Sequence, residues 1–266
     1  MQPEQPECSL PKLPNATTYH GKLALFTPFY DYRGHAPYLT SMISTVMMIE
    51  RLGIEWDYFH IYGDFHFDRA LNKALTDFMR SDFTDMILVD SDLKWSPEGM
   101  LRLLFHDDVE VVAGSYRRKN AWHSYVGEYT TGERGIPRGI FAKDGLPLLE
   151  ASRIPGGFTR FRKSALQKYA DAYPEMHYAD GDSTSVAFFY AGIQNNEFFS
   201  HDYLLSEKWK AIGVNLWLDP NITLTHYGTV GYEGNLQKHL VEGGKLNDAI
   251  KVVNDMAVEI AKRTGT

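Results

Sequence analysis

Apolar residues recur along this chain in two alternating rhythms. Lys22–Phe29 is an almost continuous apolar run of strand length, closed by Thr27-Pro28-Phe29-Tyr30. His35–Leu52 is long enough for a helix ending at Gly53, and Asp57–Tyr62 reads as a second strand. Within His66–Arg80 the residues Phe67, Ala70, Leu71, Ala74, Leu75 and Phe78 share one face at helical spacing. Asp85–Val89 is a third strand, Pro97–Phe105 a short helix and Val109–Ala113 a fourth strand. Strands alternating with helices at this spacing predict βαβ units and a mainly parallel sheet.

After Gly114 the pattern shifts to short, aromatic, turn-rich segments, and Tyr125–Ile154 predicts antiparallel ribbons. Helices are expected again over Lys163–Tyr173 and over Asp202–Ile212, the latter stopped by Gly213. Asn215–Leu218 and Ile222–Thr225 read as short strands, and Leu246–Lys262 as a final amphipathic helix. No internal repeat or long linker interrupts the text. The organisation expected is a disordered tail over 1–20 and one domain over 21–266, divided into 21–116, an elaborated 117–244 and the helix in 245–266.

Composition narrows the class. The 266 residues are 44% hydrophobic and 14% aromatic, ample for a core. No apolar run approaches the roughly 20 residues of a membrane span. Met1–Asn15 holds four prolines and lacks the regions of a signal peptide, so a cytoplasmic protein is expected. Cys8 is the single cysteine, which excludes an internal disulfide and a thiolate metal site. Lys and Arg total 27 against 34 Asp and Glu, a formal charge of −7 that disfavours nucleic-acid binding.

The chemistry concentrates where Asp85-Met86-Ile87-Leu88-Val89 runs into Asp90-Ser91-Asp92. Residues i and i+2 of a strand point to one side, and open α/β sheets bind ligands at the carboxyl ends of their strands. Asp90 and Asp92 are thus placed to share a hard cation. Mg²⁺ or Mn²⁺ on one or two carboxylates usually completes its shell with water and substrate phosphates. The competing explanation is that Asp caps a turn or helix. Ser96-Pro97-Glu98 already supplies a helix start, with Ser as N-cap and Pro in the first position.

Four features in order extend this reading: Thr27-Pro28-Phe29-Tyr30, Asp68-Arg69-Ala70-Leu71-Asn72, Leu88-Val89-Asp90-Ser91-Asp92, and a late block. That block runs from Ser200-His201-Asp202-Tyr203 through Trp217-Leu218-Asp219-Pro220 to Leu224-Thr225-His226-Tyr227-Gly228. With them the chain resembles nucleotide-sugar glycosyltransferases of the GT-A type, particularly compact members from bacteriophages, giant viruses and bacteria. The resemblance spans about Lys22 to Gly234. It implies a Rossmann-like α/β fold with a mainly parallel central sheet flanked by helices. It also implies a nucleotide-sugar-binding first half, and a second half with an acceptor site and a flexible loop.

The resemblance further implies roles. Asp92 would bind the divalent metal directly, and Asp90 the ribose or the metal through water. His226 matches a late histidine that serves as a further ligand, which suits Mn²⁺ somewhat better than Mg²⁺. Asp202 matches the general base of inverting members, although His201 stands where a second acid is common. Thr27, Pro28, Tyr30, Arg69, Asn72 and Ser91 would line the nucleotide end. Arg117, Arg118 and Lys119 offer cations to a diphosphate or an anionic acceptor. Gly156 and Gly157 in Ile154-Pro155-Gly156-Gly157-Phe158 would form the floor under the sugar, and Gly228, Gly231 and Gly234 a flap.

The activity this implies is metal-dependent transfer from a UDP-sugar or similar donor to the hydroxyl of a glycan or of a hydroxymethylated pyrimidine in DNA. A nucleotidyltransferase would show a Gly-rich, basic loop where Thr27-Pro28-Phe29-Tyr30 stands. A non-catalytic carbohydrate-binding module could use the 16 tyrosines and 5 tryptophans as platforms, but would leave Asp202 and His226 unexplained.

Overall fold

The computed structural model describes residues 19–29, 32–64, 66–120, 123–194 and 196–243. Most of the expected tail, Tyr30 and the expected helix Leu246–Lys262 lie outside the described residues. The first half runs β1 (Lys22–Phe29), α1 (Ala36–Arg51), β2 (Glu55–Tyr62), α2 (Phe67–Arg80), β3 (Asp85–Val89), β4 (Leu93–Trp95), α3 (Pro97–Phe105) and β5 (Val111–Gly114). There follow β6 (Glu128–Tyr129), β7 (Gly139–Phe141), β8 (Pro147–Arg153), β9 (Phe158–Arg162) and α4 (Lys163–Ala172). The hairpins β10 (His177–Asp180) with β11 (Ser183–Val186) and β12 (Gly192–Gln194) with β13 (Glu197–Phe199) precede α5 (His201–Ala211). The described chain ends through β14 (Leu216–Asp219), β15 (Thr223–Tyr227), β16 (Gly231–Asn235) and α6 (Leu236–Glu242).

The fold is α/β with a mainly parallel central sheet flanked by helices. Nine strands follow the order β2-β1-β3-β9-β5-β14-β8-β6, with β7 on β8. β2, β1 and β3 are parallel, as are β5 and β14, while β9 runs antiparallel between β3 and β5. Alternation along the strands sorts the core. Ala24, Phe26, Met86 and Leu88 join the cluster that includes Leu71 and Leu75 of α2, and Leu23, Leu25, Ile87 and Val89 join that of Tyr38, Met42 and Ile49 of α1. Burial on both faces explains why β1 and β3 read as unbroken apolar runs. Helix α3 starts as its sequence foretells, with Ser96 Oγ accepting from Gly99 N at 3.2 Å and Pro97 in the first turn.

Two features escaped the hydrophobic pattern. The central strand β9 is Phe-Thr-Arg-Phe-Arg, and its Arg160 is fully buried. The guanidinium is accommodated because Nε donates to Leu103 O at 3.1 Å and Nη1 to Val109 O at 2.9 Å, with Nη2 on His106 O. The other is a three-stranded sheet, β16-β15-β4, whose short β4 follows Asp92. Its pairing sets His226 opposite Leu93, and Tyr227 N donates to Asp92 O at 2.8 Å. Among the described residues no helix is long and apolar enough to cross a membrane.

Candidate active site

Three elements deliver the carboxyl edge of β3 to one cleft. Because β9 is antiparallel, its start lies beside the end of β3: Val89 faces Phe158, and Asp90 N donates to Gly157 O at 2.8 Å. The glycines there leave room for side chains. A Cβ on Gly157 would lie 2.0 Å from Asp90 Oδ2 and 2.6 Å from the Tyr116 hydroxyl, and one on Gly156 would be 3.7 Å from Asp202 Cβ. Helix α5 is tied to this loop through Ser206, whose hydroxyl donates to Asp202 O at 2.9 Å and accepts from Ile154 N at 3.1 Å.

The small sheet supplies His226. Its Nδ1 lies 2.9 Å from Arg117 O, and a carbonyl only accepts, so Nδ1 carries a proton and Nε2 is the atom turned toward Asp92. Nε2 faces Asp92 Oδ1 at 3.5 Å. That oxygen is buried and without a hydrogen-bond partner. A carboxylate oxygen and an imidazole nitrogen that face each other in this way are the donor types that a divalent cation takes. Asp92 Oδ2 meanwhile pairs with Lys119 Nζ.

Electrostatics follow from this crowding. Burial pushes the Asp90 carboxyl up to about 7, and the charge of Asp92 adds to the rise while His226, His201 and Lys119 oppose it. Burial would also raise Asp92, but His226 and Lys119 hold it below the usual carboxylate range. Tyr116 is kept a neutral phenol, first by burial and then by Asp90 and Asp202. His201 Nδ1 lies 3.0 Å from Asp68 Oδ1. Although burial opposes it, the neighbouring Asp68 and Asp202 raise its imidazole above the ordinary range.

Asp90, Asp92, Gly156, Gly157, Asp202, Lys119 and His226 thus gather at one edge. Ser91 adjoins them and accepts from His35 N through its carbonyl at 3.0 Å. Arg117 contributes its carbonyl to His226 and sets its guanidinium 5.9 Å from the Tyr232 ring centroid, while Arg118 Nη2 donates to Tyr203 OH at 3.0 Å. Other expected contacts face elsewhere. Thr27 is fully buried with its hydroxyl 2.7 Å from Tyr38 OH, and Pro28 is buried in β1. Asn72 lies in the core, where its amide donates to Phe189 O at 2.7 Å and accepts from Phe189 N at 2.6 Å. Arg69 is an exposed partner of Asp64 at 3.0 Å. Tyr116 is a neighbour of this cleft that sequence reasoning did not single out, and Asp68 entered it only as part of a longer feature, without a role of its own. Neither carries a spacing signal, since both meet the site only through the fold.

Among the described residues no group of three or more His, Cys, Asp or Glu side chains is arranged to hold a metal. The pair Asp92 and His226 still fits one. Mn²⁺ and Mg²⁺ take few protein ligands when phosphate and water complete the shell, and Asp92 Oδ1 is buried without a hydrogen-bond partner.

Neither a family model nor a curated protein matches the chain. Solved structures similar in fold include A197 from STIV, at 16% identity over 78% of this chain and 86% of that one, with a TM-score of 0.47. The catalytic domain of Drosophila beta1,4-galactosyltransferase 7 in complex with xylobiose matches at 14% identity over 81% and 71%, TM-score 0.44. GalNAc-T7 with UDP, GalNAc and Mn²⁺ matches at 10% identity over 77% and 43%, TM-score 0.43. At these identities the likeness concerns the chain path alone.

Proposed function

We propose that this chain is a metal-dependent glycosyltransferase that moves a sugar from a nucleoside diphosphate sugar, a UDP-sugar in the first instance, to an acceptor hydroxyl with inversion. The observation that carries the reading is the facing of Asp92 Oδ1, buried without a hydrogen-bond partner, and His226 Nε2 at 3.5 Å, at the carboxyl end of β3 and near the start of α5 that carries Asp202. A divalent cation bound there would neutralise charge on the departing diphosphate. Asp92 and His226 would hold it, and Asp90 would engage the ribose or a metal-bound water.

Asp202 takes the acceptor's proton as its oxygen attacks the anomeric carbon, while the bond from that carbon to the diphosphate breaks. Ser200 Oγ on Asp202 Oδ1, with Tyr203 N at 3.0 Å from the same atom, fixes the carboxylate and leaves Oδ2 for the acceptor. Gly156 and Gly157 keep the floor low enough for a sugar ring.

Saccharide is the favoured acceptor class. Arg117, Arg118 and Lys119 each engage a neighbour of the cleft, and with a net charge of −7 this supports a glycan over duplex DNA. The test is release of nucleoside diphosphate from a panel of UDP-, GDP-, CDP- and dTDP-sugars with Mn²⁺ and mixed saccharide acceptors. Acceptor-stimulated release of UDP supports the reading. No release from any donor, with or without acceptor, contradicts it.

A further inference from the structure

We propose that Lys119 is a built-in counter-ion of the cation site: without a divalent ion its ammonium neutralises Asp92, and cation binding releases it to the donor's diphosphate. The inference rests on the transferase reading above and assigns a specific step to one residue within it.

The two oxygens of Asp92 are used unequally. Oδ2 receives Lys119 Nζ, whereas Oδ1 faces His226 Nε2 at 3.5 Å and has no hydrogen-bond partner. The lysine is held at this position by its backbone. Arg117 bridges Tyr125, Arg118 N donates to Ser124 O at 2.9 Å and Asn120 N to Arg118 O at 2.8 Å, which pins a tight turn. From this turn the side chains diverge, with Arg117 beside Tyr232, Arg118 on Tyr203 and Lys119 on Asp92. The Lys119 stem also lies along Gly228, where a Cβ would meet its Cδ at 3.3 Å.

An ammonium and a divalent cation on one partly buried carboxylate repel each other strongly, since like charges a few ångströms apart are only weakly screened at such a site. The divalent ion must displace the ammonium. A lysine head swings on four methylenes while its stem keeps its contact, so Nζ moves to the border of the cation's remaining coordination positions. Those are the positions that phosphate oxygens fill. Lys119 therefore opposes metal alone and favours metal together with diphosphate, which makes the two ligands cooperative, each helping the other by the same factor.

The experiment is Mn²⁺ binding to the full chain, read from the electron paramagnetic resonance of free Mn²⁺, followed by UDP titration at saturating Mn²⁺. Lys119→Met keeps the stem and removes the charge, and thermal unfolding checks that the variant is folded. The expected result is that Lys119→Met binds Mn²⁺ alone about tenfold tighter than wild type, and binds UDP in the presence of Mn²⁺ about tenfold more weakly. Lys119→Arg should restore wild-type ordering of the two affinities. Equal or weaker Mn²⁺ binding by Lys119→Met overturns the counter-ion role and leaves the transferase reading intact. Absence of Mn²⁺ binding by wild type and variant alike overturns both.

Discussion

Asp90 and Gly157 are interlocked: Asp90 N donates to Gly157 O at 2.8 Å, and a Cβ on Gly157 would stand 2.0 Å from Asp90 Oδ2. The glycine is required by the carboxylate's position. Gly157→Ala must therefore push Asp90 or the Tyr116 hydroxyl aside. We expect UDP affinity in the presence of Mn²⁺ to fall at least about tenfold, with overpacking of about 1–3 kcal/mol. Gly156→Ala is the internal control, because its Cβ meets only Phe189 and Asp202 at 3.6 and 3.7 Å, ordinary contact distances. Calorimetric titration of both variants checks the contrast.

Asn72 has a structural task. Its amide satisfies both the N–H and the carbonyl of Phe189, so Asn72→Ala strands two buried backbone groups at about 1–3 kcal/mol each. Urea unfolding should show a loss of about 2–6 kcal/mol, while the KM for the donor stays at the wild-type value. A selective rise in KM would instead make Asn72 a nucleotide ligand.

The alternating first half was legible because β1 and β3 are buried on both faces and α2 on one, so solvent exposure alone wrote their periodicity. The residues expected to meet at the candidate site lie near the ends of elements: Asp90 follows β3, Asp92 precedes β4, Asp202 is in the first turn of α5 and His226 is next to the last residue of β15. The second half was less legible. Arg160 hides β9 behind a charge that only four distant carbonyls and Asp85 make tolerable. β4 has three residues and gains strand character only by pairing with β15, 131 positions later in the register of Thr225 on Lys94. Asn72 and Thr27 were expected at the nucleotide end through the resemblance, and in the fold each answers another buried polar group.

Asp202→Asn keeps the shape and the tie to Ser200 but removes the base. Transfer should fall by at least about 10²-fold, with UDP affinity unchanged within about twofold, within the variation typical of distant, independent sites. Single-turnover kinetics alongside UDP titration separates the two. Equal loss of binding and transfer would mean that Asp202 acts in donor binding.

Acid stability should depend on Asp219. Burial would raise its carboxyl, but His106 and Arg102, at 2.9 Å from Oδ2, together with Asn221 N at 2.9 Å from Oδ1, hold it below the ordinary range. A carboxylate depressed by folding contributes stability above its unfolded pKa of about 3.9, and that contribution is lost as pH falls through the folded value. Asp219→Asn should cost about 3 kcal/mol at pH 7, because the buried Arg102 keeps only Asp144 as a carboxylate partner and His106 loses its own. It should also flatten the decline of the urea midpoint below about pH 4. A parallel decline in both proteins would place the acid-sensitive group elsewhere.

The most direct measurement of the central claim, that Asp92 and His226 hold a divalent cation for a nucleoside diphosphate, is calorimetric titration of UDP into wild type and Asp92→Asn, each with Mn²⁺ and with EDTA. The account predicts heat of binding only for wild type with Mn²⁺. UDP binding that survives EDTA, or that persists unchanged in Asp92→Asn, would contradict it.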